Sequence, residues 1–390
     1  MDDVVLFKNA RLITPEEDIE RGFLLIHSGR IAELGPGEPS KPEGARVIDL
    51  SGYMILPGFI DIHVNGGGGG DFNSADLESF KGAARFHLSH GTTSYLASLI
   101  SIPFDNILDA IETANKYPAV AGDGPLPELL GLYLEGPYIN PRRRGAHPAT
   151  YIRRPCLAEF FTLQRRGGDI IRLVTVAPEM PEALELIAGV RETGAIAALG
   201  HTDATYEEAK AGISAGITHV THIFNAMRPF HHREPGPIGA ILESEGLSIE
   251  LIADGHHISP QVINLLYRLK GPDLILISDA ASLAGMPEGS VSKLGHEEIR
   301  VDGGRVLNKE GVLAGSTLTL DEALKSFMRF TGAPLKEATK LITRHPARLL
   351  GLERKGRLAV GADADLVIMD GELQVRGVYV KGAPVHLVGG

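Results

Sequence analysis

The sequence predicts an α/β protein: a (β/α)8 TIM-like barrel carrying a small β-sandwich module formed by both chain ends. Three observations predict it. The middle of the 390-residue chain alternates short apolar runs with amphipathic stretches, and several of those runs stop on a histidine or an acid. Both ends show short alternating segments divided by turn residues instead. A barrel of roughly 250 residues accounts for most of the chain and leaves the remainder for a second unit.

Composition narrows the function classes. Apolar residues make up 43% of the chain, a globular value, and no apolar run reaches the ~20 residues that span a bilayer. The start, Met-Asp-Asp-Val-Val-Leu, has no basic stretch before an apolar one, so no signal peptide is expected. A formal net charge of −11 argues against a nucleic-acid binder, and an anionic substrate would need its own cluster of cations. The single cysteine, Cys156, excludes an internal disulfide framework and points to the cytoplasm. Cysteine's preference for burial makes a structural role the expectation for Cys156 itself.

Taken in order, residues 1–54 hold the segments 4–7, 22–26, 30–34 and 46–50, separated by His27-Ser-Gly-Arg and Gly35-Pro-Gly-Glu-Pro. They read as a small antiparallel module. Residues 364–369, 372–376 and 378–382 repeat that grammar. Neither half is long enough to bury a good core alone, so the two ends are expected to meet. The expected division is 1–54 plus 355–390 for the module and 55–354 for the barrel. Within the barrel, strands are predicted to end near His63, Ser98, Glu135, Val176, Gly200, Thr221, Asp254 and Asp279. Helices are predicted over 76–90, 155–166, 181–193, 205–215 and 259–269, and two more over 319–330 and 335–343 close the segment. The glycine run 66–70 lacks a following Gly-Lys-Ser/Thr, so it is no nucleotide loop; it reads as a flexible loop that lets backbone approach the site.

Active sites of such barrels lie at the C-terminal ends of the strands, where this chain places its polar residues. Glu135 follows the apolar run 129–134 and precedes Gly-Pro; His201 and His222 end two later runs, one β/α unit apart. A buried acid is costly unless paired or metal-bound. One oxygen and two nitrogens make the three-ligand set of a catalytic zinc with an open position for water. His63 ends the first barrel strand and is followed two positions on by Asn65, a poorer ligand than a second histidine. It either holds a second, weaker metal or only hydrogen-bonds water or substrate. Asp279 ends the last strand and is suited to take a proton from an attacking water and deliver it to a leaving amine, or else to cap the next segment. Asp254 is a weaker candidate that would orient the neighbouring loop.

Further residues could hold a substrate. Asn225, Ala226 and Met227 follow the His222 strand, Arg233 lies in the loop 230–236, and His147 and His257 sit on other strand-end loops. Arginine, histidine and backbone N–H groups together suit a phosphate. The run Arg142-Arg-Arg144 reads as a solvated loop, the usual fate of a charge run.

These motifs together resemble the amidohydrolase superfamily, and within it the N-acetylglucosamine-6-phosphate deacetylase family. The resemblance spans essentially the whole length. It rests on Pro57-Gly-Phe-Ile-Asp-Ile-His63, Leu134-Glu-Gly-Pro-Tyr138, Gly145-Ala-His147, Ala177-Pro-Glu179, Gly200-His-Thr-Asp203, Thr221-His-Ile-Phe-Asn-Ala-Met227, Arg233-Glu-Pro-Gly236, Ala253-Asp-Gly-His-His257 and Ser278-Asp-Ala280. It implies Glu135, His201 and His222 as principal metal ligands and Asp279 as general acid and base. It further implies His147 at the sugar or its acyl group, and Asn225, Ala226, Arg233 and His257 around the phosphosugar. A divalent metal, zinc before iron, manganese or cobalt, and a homodimer sharing phosphate contacts across its interface are also implied, as is a place in amino-sugar recycling. Relatives differ at the first strand, some with His-x-His and two metals and others with neither histidine and one; His63 with Asn65 falls between them. The galactosamine epimer and another amide remain alternatives. Cyclic-amide enzymes would more often carry His-x-His and a bridging lysine in place of Glu135. A catalytically silent scaffold is disfavoured because Glu135, His201, His222 and Asp279 are all kept.

Overall fold

A computed structural model describes residues 4–37, 39, 42–117, 120–121 and 124–387. Eight parallel strands form the central sheet: β1 (Phe59–Val64), β2 (Thr92–Leu99), β3 (Glu128–Leu134), β4 (Ile171–Val176), β5 (Ile196–Leu199), β6 (His219–Val220), β7 (Ser248–Ile252) and β8 (Leu274–Ile277). They are ordered as in the chain, each paired with the next. The ends of the sheet meet through the bridge between Val64 and Ala280 and the hydrogen bond from Asp279 N–H to His63 O, 2.9 Å, which close the barrel. The strands are buried on nearly all positions of both faces because one face fills the barrel and the other lies under helices, as in parallel sheets generally.

Local chemistry sets the helices. Asp76 accepts from Ser79 N–H at 2.7 Å and starts Leu77–Ser89. Thr205 and Glu208 form a reciprocal capping box that starts Tyr206–Ala215. Leu320–Thr331 buries Ala323, Leu324 and Phe327 on one stripe and ends at Gly332 in the left-handed region. Among the described residues no helix is long and apolar enough to cross a membrane.

Both chain ends share one eight-stranded sheet. Val5–Ile13 is its hub, antiparallel to Asp18–His27 but parallel to both Arg46–Asp49 and Met54–Pro57. Met54–Pro57 then pairs with Leu366–Met369, which stitches the two ends together. The sheet is therefore mixed rather than antiparallel throughout, because a strand that enters the barrel must return alongside the first. The C-terminal segments also differ from expectation. Val375–Val380 is one strand, and the turn falls at Lys381-Gly382 before Ala383–Leu387. Buried Phe7, Leu12, Leu24, Ile55, Leu366 and Tyr379 join in a core to which both ends contribute.

Three further features depart from the sequence reading. Residues 291–308 form a three-stranded antiparallel sheet whose short alternating strands are divided by Gly295 and by Gly303-Gly304. Cys156 is exposed just before helix Leu157–Gly167, since the buried side chains of that helix are Phe160, Leu163 and Gln164. The glycine run is a tight hairpin, Gly66-Gly67 against Gly70-Asp71, locked by N–H bonds from Gly66, Gly68 and Gly69 to the carbonyls of Ala280, Ala284 and Ser282. A Cβ on Gly70 would stand 2.3 Å from Ser79 O, so close packing, not mobility, requires the glycine.

Candidate metal centre and active site

Each strand end turns sharply as it leaves the barrel. His201, His222 and Asp279 all have positive φ, 46°, 22° and 48°, a strained conformation that turns their side chains toward the barrel axis. Glu135 follows β3, and Gly136 behind it packs so tightly on Ser101 that a Cβ would stand 2.4 Å from its Oγ. The result is a cavity of about 350 Å³ lined by Glu135, His147, His201, His222 and Asp279 on its floor. Asn65, Asn225, Ala226, His257, Arg142 and Arg143 also line it.

Three ligand atoms meet there. Glu135 Oε1 lies 3.1 Å from His201 Nε2 and 3.2 Å from His222 Nε2, which are 3.1 Å from each other. Tetrahedral bonds of about 2.0–2.1 Å leave ligand atoms about 3.3 Å apart, so this triangle has the size a zinc ion needs. The chemistry agrees. His201 Nδ1 donates to Arg143 O at 2.9 Å, which leaves its Nε2 a bare lone pair facing a carboxylate and another ring nitrogen. His222 Nε2 faces the same carboxylate oxygen, so a divalent cation fits between the three ligand atoms. Burial and the neighbouring His147 hold His201 down at about 4, so it stays neutral and able to ligate.

His63 offers a second grouping with Glu135 and Asp279. Its Nδ1 donates to Glu250 Oε2 at 2.9 Å, and its Nε2 lies 3.4 Å from Glu135 Oε2 and 3.5 Å from Asp279 Oδ1. Glu135 thus stands between two possible positions, one oxygen toward each. His147 differs. Ser101 N–H donates to its Nδ1 at 3.1 Å, so the neutral ring carries its proton on Nε2, 3.5 Å from Glu135 Oε1. Although His147 groups with Glu135 and His201 by distance, this tautomer makes it a donor into the cavity rather than a ligand. Burial, reinforced by the charge of Glu135 and opposed by His63, pushes the Asp279 carboxyl above its usual range.

The cavity gathers Glu135, His147, His201, His222, Asn225, Ala226, His257 and Asp279 of the residues singled out in the sequence, with His63 buried behind it; Arg233 is elsewhere. Arg233 lines a separate cavity of about 330 Å³ with Tyr206, Arg228 and Glu234. His257 is held by Asp254, which accepts from its Nδ1 at 2.7 Å and from its backbone N–H at 2.9 Å. Two features escaped the sequence. Arg142 and Arg143 are not merely solvated: both line the cavity, and Arg143 donates to Asp203 Oδ1 at 2.9 Å. Their position just before Gly145-Ala-His147 was the available signal. Glu250 on β7 is the larger omission. It accepts from His63 Nδ1 and His219 Nε2, both at 2.9 Å, and from His222 N–H at 3.0 Å. Burial works against its charge, but His63 and His219 overcome that and hold the carboxyl at about 2. A lone acid in the apolar run Ser-Ile-Glu-Leu-Ile was its only trace.

A model of the amidohydrolase family matches residues 54–385. The chain belongs to the amidohydrolase family. Among its relatives, it is 36% identical over 378 residues to N-acetylglucosamine-6-phosphate deacetylase of Bacillus subtilis, covering 96% of this chain and 95% of that one. It is 35% identical over 364 residues to N-acetylgalactosamine-6-phosphate deacetylase of Escherichia coli O157:H7, covering 93% and 96%. A mutant N-acetyl-D-glucosamine-6-phosphate deacetylase from Mycobacterium smegmatis, solved with N-acetyl-D-glucosamine-6-phosphate, superposes with a TM-score of 0.91 at 34% identity, covering 98% and 100%. Amidohydrolases generally depend on a divalent metal, in keeping with the clustered buried ligands here.

Proposed function

We propose that this chain hydrolyses the acetamide of N-acetylglucosamine-6-phosphate, releasing acetate and glucosamine-6-phosphate. The observation that carries the reading is the triangle of Glu135, His201 and His222 with Asp279 and His147 on the same cavity floor. The names of relatives at 34–36% identity over nearly full length support the substrate.

Glu135, His201 and His222 would hold one ion, zinc by the softness and number of the ligands, and His63 with Glu135 and Asp279 would hold a second more weakly. Such an ion polarises an acyl oxygen and acidifies water. Asp279 takes the proton of the attacking water as the new C–O bond forms. His147 Nε2–H donates to the acyl oxygen as charge develops on it. Asp279 then returns the proton to the nitrogen as the C–N bond breaks, since an amide anion is too basic to leave unaided. Asn225, the backbone of Ala226 and His257 hold the sugar. Arg233 lies outside this cavity in its own subunit, which supports a homodimer in which it reaches the phosphate of the partner's site. The reading extends to a cytoplasmic enzyme divided into a module of 1–54 with 355–390 and a barrel of 55–354.

Metal-stripped protein titrated with zinc tests the reading through acetate release from N-acetylglucosamine-6-phosphate. The expected result is activity that saturates near one equivalent. No acetate with zinc, iron, manganese or cobalt would overturn it, and faster release from the galactosamine epimer would reassign the sugar.

A further inference from the structure

We infer that Asn65 is a positioning residue for Asp279, an assignment that rests on the role given to Asp279 above. Asn65 follows β1, lines the cavity and is only 2% exposed. Its Nδ2 donates to Asp279 Oδ1 at 2.8 Å. The orientation of the amide follows from its surroundings. A carboxylate only accepts, and Asn65 Oδ1 meets no donor among the described residues, so a flipped amide would set oxygen against oxygen.

The main chain fixes where both residues start. Asn65 N–H donates to Ala280 O at 2.9 Å and Asp279 N–H to His63 O at 2.9 Å, one bond on each side of the pair. The carbonyl of Asp279 accepts from Ser316 N–H at 2.7 Å. These bonds hold the Asp279 backbone but not the rotation of its carboxylate. Asn65 supplies that restraint, since His63 Nε2 stands 3.5 Å from Oδ1, beyond a good hydrogen bond.

With Oδ1 engaged, the other oxygen is left to work. The proton from water arrives on Asp279 Oδ2 as the water O–H bond breaks, and leaves for the amide nitrogen as the C–N bond breaks. Asn65 exchanges no proton in either step. An amide neither gains nor loses a proton near neutrality, so it holds the carboxylate without competing for what the carboxylate carries.

Asn65→Leu, Asn65→Ser and Asp279→Asn, alone and combined, are measured for kcat, KM, bound zinc and thermal midpoint. Losing a hydrogen bond to a charged group predicts a fall in kcat of about 10- to 100-fold for Asn65→Leu. KM and bound zinc should stay within about twofold, and Asn65→Ser, which keeps a donor, should recover part of the loss. In the Asp279→Asn background, with residual turnover followed over long incubations, Asn65→Leu should cost nothing more, because its partner's role is already gone. An equal further loss there, or an unchanged kcat in Asn65→Leu, overturns the assignment. Failure of the parent reading looks different. The unaltered chain would then release no acetate, while the thermal midpoints of Asn65→Leu and Asp279→Asn would still couple, leaving a structural contact with no proton transfer to serve.

Discussion

Glu250 is the most exposing test of this description, because it lines neither cavity described above and yet joins His63, His219 and His222. Consider Glu250→Gln and Glu250→Leu. Each of its three bonds, at 2.9, 2.9 and 3.0 Å, ends on a charged carboxylate. Hydrogen bonds to charged groups contribute about 1.5–3 kcal/mol and neutral ones about 0.5–1.5 kcal/mol. Glutamine can keep all three. Its oxygen serves His63 and the His222 N–H, and its amide faces His219, whose buried Nδ1 has no partner among the described residues and can take over the ring proton. The cost is then about 1 kcal/mol per bond, about 3 kcal/mol in all. Leucine leaves three buried donors unmet at about 1–3 kcal/mol each, about 6 kcal/mol in total. Both changes loosen His63 and His222, so zinc affinity should fall about 10- to 100-fold. Denaturant unfolding of the metal-free variants and zinc competition against a chelator measure the two effects. A leucine variant within about 1 kcal/mol of the parent, or no more costly than the glutamine variant, would refute the reasoning.

Three further outcomes follow from the same geometry. Asp279→Asn should keep bound zinc and substrate affinity while kcat falls about 10²- to 10⁴-fold, the usual span of general acid–base catalysis; near-normal turnover would remove Asp279 from proton transfer. Lys355 is buried with its Nζ 2.5 Å from Asp365 and 3.0 Å from Glu128, tying the end sheet to the barrel. Lys355→Met would leave the buried Asp365 carboxylate without its cation and should cost about 3–5 kcal/mol in denaturant unfolding, whereas an unchanged midpoint would show the tie to be idle. His87 is buried with Nε2 2.8 Å from Gly66 O, and burial holds it at about 4 against an ordinary 6.5. Between those values the unfolded chain binds the extra proton, so His87 favours stability at higher pH. About 3 kcal/mol should be lost as pH falls from 6.5 through 4. His87→Gln should flatten that slope by about one proton; the same slope in both proteins would contradict it.

The sequence by itself determined the barrel and much of the candidate site. Apolar runs ending on Glu135, His201, His222 and Asp279 are strand-period signals with a polar stop, and a parallel barrel brings all such stops to one rim. That logic needs no coordinates. It also brought both chain ends together in one module, since neither end carries enough apolar surface to fold alone; that they share one sheet came from the structure.

Other matters needed the tertiary structure because they depend on contacts between residues far apart in the chain. Glu250 has no local signature of function; its role exists only because β7 lies beside β6 and its side chain reaches His63. The proton on His147 is placed by Ser101, 46 residues away, which turns a residue of ligand type into a donor. Arg233 sits in a motif with the other substrate candidates, yet its loop leads it into a different cavity. The glycine run looked free because glycine permits motion, but hydrogen bonds to residues 280–284 lock it. Periodicity reports which residues reach the rim. Which partner each one meets there is decided by barrel closure.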